Sequence, residues 1–299
     1  MECWGHYSDT PLLQSGFMRI IEQIAEMQDW SEAERRQGRR IALVPTMGFL
    51  HEGHSSLVRE GKRKGDRLVV SIFVNPKQFA PHEDFAAYPR DFERDRKLLE
   101  HERADVLFCP AVEAMYPEGH QTTVEVEKLG APLCGVFRPG HFRGVATVVT
   151  KLFNIVRPQV AIFGCKDYQQ LQIIRRLVRD LNFAIDIVGY PTVRDPDGLA
   201  MSSRNAYLNV AERRAALCLW RALRKAEALV QQGETTAAVI LGAVQSEIGG
   251  EPLAQLEYAS LNDAENLVEI EQLRDIALLA LAVRIGKTRL IDNLILKKP

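Results

Sequence analysis

An apolar run passes directly into a glycine-containing turn in the stretch Ile41–His54, which reads IALVPTMGFLHEGH. Its first four residues are uninterrupted aliphatic side chains, as in a strand that is covered on both faces of a parallel sheet. Ser55–Val58 can continue as a helix. We therefore predict that a buried strand ends in a tight turn and that a helix begins at His51 and His54.

This turn has the features of a phosphate site. A helix start presents unpaired backbone N–H groups and the positive end of the helix dipole. Gly48 and Gly53 allow close approach of the backbone, and the imidazoles of His51 and His54 can donate hydrogen bonds to developing charge. A buried turn whose histidines bond neighbouring carbonyl groups would contain the same residues. A zinc pair is disfavoured because helical zinc histidines are usually four residues apart and no Cys/His cluster follows.

Further apolar runs alternate with helical stretches along the first two thirds of the chain. The predicted strands are Ile41–Val44, Leu68–Val74, Val106–Phe108, Val160–Phe163 and Ala184–Val188, with Thr122–Val126 as a candidate additional edge strand. Helices are predicted from Met18 to about Gln37 and over Tyr168–Leu181. This alternation predicts an α/β fold with a doubly wound parallel sheet, whose ligands bind beyond the carboxyl ends of the strands.

The composition changes at the turn-rich stretch Pro191–Gly198, which we interpret as a hinge. Beyond it, Asn209 and Glu212 form a helix-capping pair, and a second helix is predicted over Thr235–Ile248. The predicted strands near the end of the chain are Leu256–Ser260, Val268–Ile270, Ala277–Ile285 and Thr288–Asn293. We expect a disordered extension over residues 1–17, an α/β domain over 18–191 and a smaller α+β lid domain over 192–299.

Charge and cysteine content narrow the function classes. The 299 residues include 38 basic and 39 acidic side chains, so the charge gives no reason to expect nucleic acid or an anionic membrane as partner. The five cysteines are spread without a Cys-x-x-Cys pair, which is typical of reduced thiols. The longest apolar run, Ile276–Val283, is shorter than the roughly 18 residues that a bilayer requires. We therefore expect a cytoplasmic protein without nucleic-acid or membrane partners.

Four further clusters lie where predicted strands end or in the hinge. They are Val74–Phe79, Arg138–Gly144, Phe163–Gln170 and Ala200–Asn205. The amides of Asn75 and Gln78 could orient a hydroxyl and a carboxylate without adding charge, although Asn-Pro turns are common. Arg138 and His141 lie at another predicted helix start, which suits an anion but is equally typical of a solvated loop.

The last two clusters favour a nucleotide. Lys166 is a natural partner for ATP phosphates, and Asp167 could accept from a ribose or cap a surface helix. Two hydroxyl groups beside Arg204 can grip a triphosphate when one domain closes on the other. ATP with a small polar acid beside it accounts for all these segments and predicts attack on the α-phosphate. The chain lacks Gly-x-x-x-x-Gly-Lys-Ser/Thr, which argues against a P-loop kinase, and lacks Gly-x-Gly-x-x-Gly, which argues against a dinucleotide dehydrogenase.

The motifs together resemble a known ligase family. The matching segments are Val44–Gly48, His51–His54, Val70–Pro76, Arg138–Val145 and Asp197–Asn205. From about Met18 to its end, the chain closely resembles the pantoate–β-alanine ligase family, whose members resemble nucleotidyltransferases with a His-x-Gly-His signature and a Rossmann-like first domain. The resemblance implies that ATP and (R)-pantoate give pantoyl adenylate and pyrophosphate. β-Alanine then attacks the acyl carbon, which releases pantothenate and AMP.

The resemblance also implies roles for individual residues. The ATP-binding residues would be Met47, Gly48, Phe49, Leu50, His51, Glu52, Gly53, His54, Gly164, Cys165, Lys166, Asp167, Val193, Met201, Ser202, Ser203 and Arg204. The substrate-binding residues would be Gln78, Gln170, Asn75 and Arg138, with Gln78 placed against both pantoate and β-alanine. His54 and His51 would be catalytic, and His54 matches the residue usually named the proton donor. Because both histidines need only donate hydrogen bonds, stabilising phosphate charge is a sufficient role for them.

The same resemblance implies a homodimer that uses ATP as a substrate. Mg²⁺ should arrive with ATP and be held mostly by phosphate oxygens, with no metal held by the protein and no tightly bound organic cofactor. Two residues depart from the family pattern: Cys165 replaces the common Glu or Gln between Gly164 and Lys166, and Cys134 replaces Glu before Gly135. Each change removes a polar side chain near the predicted site, and neither cysteine is expected to be catalytic.

Alternative functions remain open from the sequence. Another nucleotidyltransferase would move AMP onto a phosphate ester, and a class I aminoacyl-tRNA synthetase would need a basic tRNA-binding region that the balanced charge does not offer. An ATP-sensing module would keep Lys166 and the glycines but would not need Gln78 and Gln170 in the same pocket. Pantoate-dependent exchange of pyrophosphate into ATP discriminates a ligase from a sensor.

Overall fold

Six parallel strands form the main sheet of the protein. The computed structural model describes residues 18–81 and 83–299, so the extension predicted over residues 1–17 lies outside the described residues. In spatial order the strands are β1 (Arg19–Ile21), β4 (Val106–Phe108), β3 (Arg67–Ile72), β2 (Ile41–Thr46), β5 (Val160–Gly164) and β6 (Asp186–Tyr190). The predicted doubly wound α/β sheet is confirmed.

Helices pack on both faces of this sheet. They are α1 (Ile24–Arg36), α2 (Glu52–Lys64), α3 (Phe92–His101), α4 (Val112–Met115), α5 (Glu127–Gly130), α6 (Cys134–Phe137), α7 (His141–Val156) and α8 (Tyr168–Asp180). Alternate residues of β2 enter different cores: Ile41 and Leu43 pack with residues of α1, α7 and α8, whereas Ala42 and Val44 pack with residues of α2 and α3. Because both faces are covered, the strand reads as an uninterrupted apolar run.

Two predictions at the sheet edge were wrong. The predicted helix from Met18 begins only at Ile24, because Arg19–Ile21 form the edge strand β1, which pairs with β4. A strand of three residues is too short to show a period-two pattern. The candidate edge strand Thr122–Val126 is not a strand, and the N–H of Val124 instead donates to the Thr147 hydroxyl at 3.0 Å.

The rest of the chain forms a second core. It consists of α9 (Val210–Gln231), α10 (Ala237–Gly249) and an antiparallel sheet of β7 (Ala254–Asp263), β8 (Ile276–Ile285) and β9 (Thr288–Lys297). The predicted capping pair is confirmed, since Asn209 and Glu212 exchange two hydrogen bonds of 2.9 Å. The strand predicted over Val268–Ile270 is wrong, because only one isolated bridge forms there, between Asn262 and Glu269.

The segment predicted as a hinge is attached to this second core. Arg194 forms a bidentate ion pair with Asp292 of β9, at 2.6 and 2.9 Å, and both side chains are largely buried. The Arg194 guanidinium also lies 4.0 Å from the centre of the Trp220 ring on α9. The chain leaving the main sheet is therefore anchored to the second core within a few residues of β6.

Candidate active site

A buried carboxylate, which sequence reasoning missed, holds the turn after β2 in place. Asp95 of α3 is buried, and its two oxygens accept hydrogen bonds from the N–H groups of Phe49 and Leu50, both at 2.7 Å. These two N–H groups are therefore not free for a ligand, although the sequence predicted them at a phosphate site. Asp95 lies more than forty residues away in sequence, so no local pattern pairs it with the turn.

The rings of the two histidines lie against each other at the start of α2, with their planes tilted by 43°. Their ring centres are 4.1 Å apart, and the backbone N–H of His51 donates to Nδ1 of His54 at 3.3 Å. Because Nδ1 of His54 accepts this bond, a neutral His54 carries its proton on Nε2. The His51 ring lies over Gly53, where an added Cβ would be 2.9 Å from its Cε1 atom. Gly53 therefore leaves room for the imidazole.

Both imidazoles are neutral near pH 7. Burial, followed by the charge of Lys166, lowers the pKa of His51 to about 4. Burial, followed by His51 and Lys166, lowers the pKa of His54 to about 3. The pair can therefore donate hydrogen bonds to a phosphate at neutral pH, but very little of it is in the imidazolium form that acts as a general acid.

The Asn-Pro turn after β3 presents Gln78 to the same region. Nδ2 of Asn75 donates to Oε1 of Gln78 at 3.0 Å, and both side chains are buried. The hydroxyl of Tyr116 donates to Oδ1 of Asn75 at 2.8 Å, which fixes the orientation of the asparagine amide. The amide nitrogen of Gln78 then lies 2.9 Å from the sulfur of Met47. Gln78 therefore presents donor hydrogens, the polarity that a carboxylate or hydroxyl oxygen requires.

Helix α7 approaches this turn so closely that only glycine fits at position 144. A Cβ there would lie 2.2 Å from the carbonyl oxygen of Lys77 and 2.7 Å from the backbone nitrogen of Gln78. Because the clashing atoms belong to the backbone, they cannot move as a flexible side chain could. Gly144 thus allows α7 and the Gln78 turn to touch.

We expect Gly144→Ala to destabilise the fold by about 1–3 kcal/mol through overpacking. Denaturant unfolding of the purified variant measures this change. Gly242→Ala is the matched control: it lies in α10 with nothing within 4 Å of an added Cβ, and should be neutral or slightly stabilising. Equal unfolding free energies for the two variants would contradict the proposed clash.

A second strand–glycine–helix junction supplies Lys166. A 3₁₀ turn over Cys165–Asp167 follows β5, and its carbonyl groups at Cys165 and Lys166 accept hydrogen bonds from Nδ2 of Asn293 at 3.0 and 2.7 Å. Asn293 belongs to β9, so the second core holds this turn in place. Sequence reasoning missed this residue because it is more than 120 positions away.

The Ser-Ser-Arg segment is tied to the first domain. The Ser203 hydroxyl donates to the carbonyl of Phe49 at 3.2 Å. Arg204 forms a two-point ion pair with Asp84, with Nε–Oδ2 and Nη2–Oδ1 distances of 3.1 and 2.9 Å. The arginine predicted to grip a triphosphate is thus neutralised by an aspartate that the sequence analysis did not single out.

Most of the predicted site residues line one cavity of about 230 Å³. They are Met47, His51, Gly53, His54, Asn75, Gln78, Arg138, Gly164, Lys166, Asp167, Gln170, Val193, Met201, Ser202, Ser203 and Arg204. His51 and His54 therefore share a cavity with the two glutamines, as the sequence analysis required. An adjoining cleft of about 1050 Å³ between the two cores is also lined by Arg138, Lys166 and Arg204.

Five predicted ATP-binding residues do not line this cavity: Gly48, Phe49, Leu50, Glu52 and Cys165. Leu50 is fully buried in the core. Glu52 is exposed and forms an ion pair with Arg59. The Phe49 ring lies under the guanidinium of Arg94, 4.9 Å away. The motif is continuous in sequence, but a tight turn followed by a helix points its side chains in different directions.

The two unusual cysteines differ in their surroundings. Sγ of Cys134 lies 3.2 Å from the Tyr258 hydroxyl and 3.7 Å from a guanidinium nitrogen of Arg289, on the wall of the larger cleft. Cys165 packs against the first core, and burial raises the pKa of its thiol. Cys109, Cys134, Cys165 and Cys218 are free thiols, as predicted, whereas Cys3 lies outside the described residues.

The described part of the chain has neither a metal-binding cluster nor a membrane-spanning helix. Residues 18–81 and 83–299 contain no group of three or more His, Cys, Asp or Glu side chains placed to hold a metal ion. None of the helices described in the structure is both long and apolar enough to span a bilayer.

Comparison with known proteins points to one family. The sequence profile of the family described as pantoate–β-alanine ligase matches residues 19–295. The chain is 57% identical over 279 residues to a pantothenate synthetase from Geobacter sulfurreducens, covering 93% of this chain and 99% of that protein. It is 55% identical over 280 residues to one from Heliobacterium modesticaldum, covering 94% and 100% of the two chains.

Solved structures agree with the sequence comparisons. A pantothenate synthetase from Thermus thermophilus superposes with a TM-score of 0.88 at 46% identity, covering 93% of this chain and 99% of that one. A pantoate–β-alanine ligase from Francisella tularensis, solved in complex with β-γ ATP and β-alanine, superposes with a TM-score of 0.78 at 34% identity. It covers 93% of this chain and 98% of that one.

Proposed function

The chain belongs to the pantoate–β-alanine ligase family, and on that premise we propose that its 230 Å³ cavity activates pantoate with ATP and then transfers the pantoyl group to β-alanine. The family predicted from the sequence motifs is confirmed by these similarities, as are the enzyme class, an AMP-forming ligase, and its product, pantothenate. The individual residue roles below are proposals.

One observation supports these roles: groups that can bind phosphate and groups that can bind a carboxylate line the same cavity. His51, His54 and Lys166 lie on its walls together with Gln78 and Gln170. We assign the first three to the triphosphate of ATP and the two glutamines to pantoate. An ATP-sensing module would have no need of the carboxamides beside the phosphate site.

The first step joins pantoate to the nucleotide. A carboxylate oxygen of pantoate attacks the α-phosphorus, the bond to the β-phosphate oxygen breaks, and pyrophosphate leaves with the electron pair. Nε2–H of His54 donates to the phosphate oxygens where negative charge accumulates, and Lys166 balances the charge of the triphosphate. Since both imidazoles are neutral, their contribution is preorganised hydrogen bonding.

The second step forms the amide. The unprotonated amine of β-alanine attacks the acyl carbon of pantoyl adenylate, the bond from that carbon to the phosphate oxygen breaks, and AMP leaves. The nitrogen loses its extra proton to water as the amide forms, and the AMP phosphate keeps the electron pair of the broken bond. We place β-alanine on the Gln78 side, beside Arg138, where the small cavity meets the larger cleft. Arg138 is paired with Glu83, so its guanidinium would bind the carboxylate of the incoming amino acid by exchanging that partner.

The other nucleotide contacts are proposed along the same walls. Met47, Gly53, Gly164, Asp167, Val193 and the segment Met201–Arg204 surround the space between the two cores. We propose that residues 18–191 bind ATP and pantoate and that residues 192–299 act as a lid. Arg204 would exchange Asp84 for a phosphate when the nucleotide binds.

We also propose that the enzyme is a cytoplasmic homodimer that takes up Mg²⁺ together with ATP. The family resemblance supports the dimer, and the reduced-thiol cysteine pattern supports the compartment. Phosphate oxygens are good ligands for Mg²⁺, which usually keeps several waters and needs few protein ligands. Size-exclusion chromatography with light scattering tests the dimer, and activity after chelation tests the metal.

The reaction is tested by isotope exchange. Labelled pyrophosphate should enter ATP when pantoate is present and β-alanine is absent, because adenylate formation is reversible and needs only the acid. Exchange without pantoate would point to another acid substrate. Folded protein that binds ATP but shows no exchange with pantoate would contradict the proposed reaction and favour a sensor.

We expect Gln78→Ala to raise the KM for pantoate about ten- to hundredfold, the equivalent of about 1–3 kcal/mol for a lost buried hydrogen bond. The KM for ATP should change far less. Initial rates with each substrate varied in turn measure both constants. Gln232→Ala, at an exposed glutamine after α9, is the control. An unchanged KM for pantoate would remove Gln78 from the substrate site.

A further inference from the structure

We propose that His141 is a positioning residue: its ring fixes the backbone of Gln78 and thereby aims the Gln78 carboxamide at pantoate. The proposal rests on the proposed function, since it takes Gln78 to be a pantoate contact. The sequence analysis left the segment around His141 open between an anion site and a solvated loop. Its hydrogen bonds favour a supporting role instead.

Both nitrogens of His141 are already bonded. Nδ1 lies 2.8 Å from the carbonyl oxygen of Gln78, and Nε2 lies 3.1 Å from Nη1 of Arg138. An arginine can only donate, so Nε2 accepts and the proton of the neutral ring is on Nδ1, where it donates to the carbonyl. Burial, together with the neighbouring Arg138, lowers the pKa of His141 to about 4, so the ring keeps this form at neutral pH.

Arg138 has little capacity left for a further anion. Its Nε donates to Glu83 at 2.6 Å, and its Nη2 donates to Glu83 at 2.7 Å and to the Gln78 carbonyl at 3.3 Å. With the bond to His141, the guanidinium makes four hydrogen bonds, so only one of its N–H donors is left. Glu83 also neutralises its charge. Arg138 and His141 therefore hold the Gln78 carbonyl jointly, and β-alanine would have only one free N–H to bind unless Glu83 moves.

Gln78 is thus held at two points, and its amide nitrogen, which also lies 2.9 Å from the Met47 sulfur, is the group that can donate to a ligand. Its carbonyl is bonded to His141 and Arg138, and its side-chain oxygen is bonded to Asn75. Gly144, one turn further along α7, permits the close contact that brings His141 to this carbonyl. Loss of the His141 bond would leave the Gln78 carbonyl with only the longer bond from Arg138 and so loosen the backbone there. A displacement of about 1 Å at such a position is enough to weaken substrate binding.

The test replaces His141 with residues that keep or lose the bond to Gln78. In His141→Asn, the amide nitrogen can occupy the position of Nδ1 and donate to the carbonyl. In His141→Phe, both nitrogen bonds are lost while the ring shape is kept. We expect the KM for pantoate to rise about tenfold in His141→Phe and to stay within about threefold of wild type in His141→Asn. The KM for ATP should change by less than about twofold in both.

Controls separate this positioning role from folding and from the reaction itself. His101→Phe, at an exposed histidine at the end of α3, should leave all constants unchanged. An unchanged KM for pantoate in folded His141→Phe overturns the proposal, as does an equal rise in both KM values. If His141→Phe does not fold, His141→Gln replaces it in the test. The glutamine amide reaches the position of Nε2 but does not reach the Gln78 carbonyl. A KM for pantoate in His141→Gln equal to that in His141→Asn overturns the proposal. Absence of pantoate-dependent exchange in wild type would instead contradict the proposed function.

Discussion

Replacing His54 with alanine should slow adenylate formation by about 10²-fold or more, while ATP binding weakens much less. The ring is held by the backbone N–H of His51, so that its Nε2 proton is available to the cavity before any ligand arrives. A donor oriented in advance stabilises the charge that develops on the phosphate without reorganisation. Alanine removes that donor and leaves the rest of the nucleotide site in place.

Single-turnover formation of the adenylate measures the chemical step, and equilibrium binding of ATP measures the nucleotide affinity. Because burial lowers the pKa of His54 to about 3, its protonation should not change the wild-type rate between about pH 6 and 9. A rate that falls as this histidine loses a proton in that range would support a general-acid role instead. Equal losses in rate and in ATP affinity would identify His54 as a nucleotide anchor.

Replacing Lys166 with methionine should lower kcat/KM for ATP by about 10²- to 10³-fold. Lys166 lines the cavity, and within the described part of the chain its ammonium has no acidic partner within 4.0 Å. A cation without a partner beside the proposed triphosphate site is available for phosphate binding. Asn293 fixes the backbone of the turn, so the loss should reflect the missing charge.

The same substitution has a second measurable effect. The charge of Lys166 contributes to the low pKa of both His51 and His54, so its removal should raise both values towards the ordinary one. Titration of the two imidazoles by NMR measures this change. Lys225→Met, at an exposed lysine of α9 that pairs with Glu247, is the control and should alter neither property. A Lys166→Met variant with unchanged kcat/KM for ATP would place the triphosphate elsewhere.

The sequence predicted the architecture well where patterns were local and long. The uninterrupted apolar strands, α8, and the capping pair before α9 were all correct, because each depends on side-chain periodicity or turn chemistry within a few residues. The errors fell on short elements, such as the three-residue strand β1. Such an element is stabilised by a neighbouring strand, and its own sequence contains too little pattern to predict it.

In the candidate site, too, local patterns were predictable from the sequence and contacts between distant residues were not. Strand ends followed by glycine turns predicted which segments would meet, since the carboxyl ends of parallel strands share one edge of the sheet. The pairing of individual groups could not be predicted in this way. Phe49 and Leu50 turned out to donate to Asp95, and Cys165 turned out to pack against the core.

The sequence by itself determined the long strands, the turns that follow them and the longer helices, the family, and the set of segments around the cavity. Only the tertiary structure decided how the charges and donors in that cavity are used. Asp84 neutralises Arg204, Glu83 neutralises Arg138, and Asn293 holds the Lys166 turn, although the partners lie 55 to 127 residues apart. A buried polar group bonds to whichever partner the fold brings within about 3 Å, and spacing along one chain does not specify that partner.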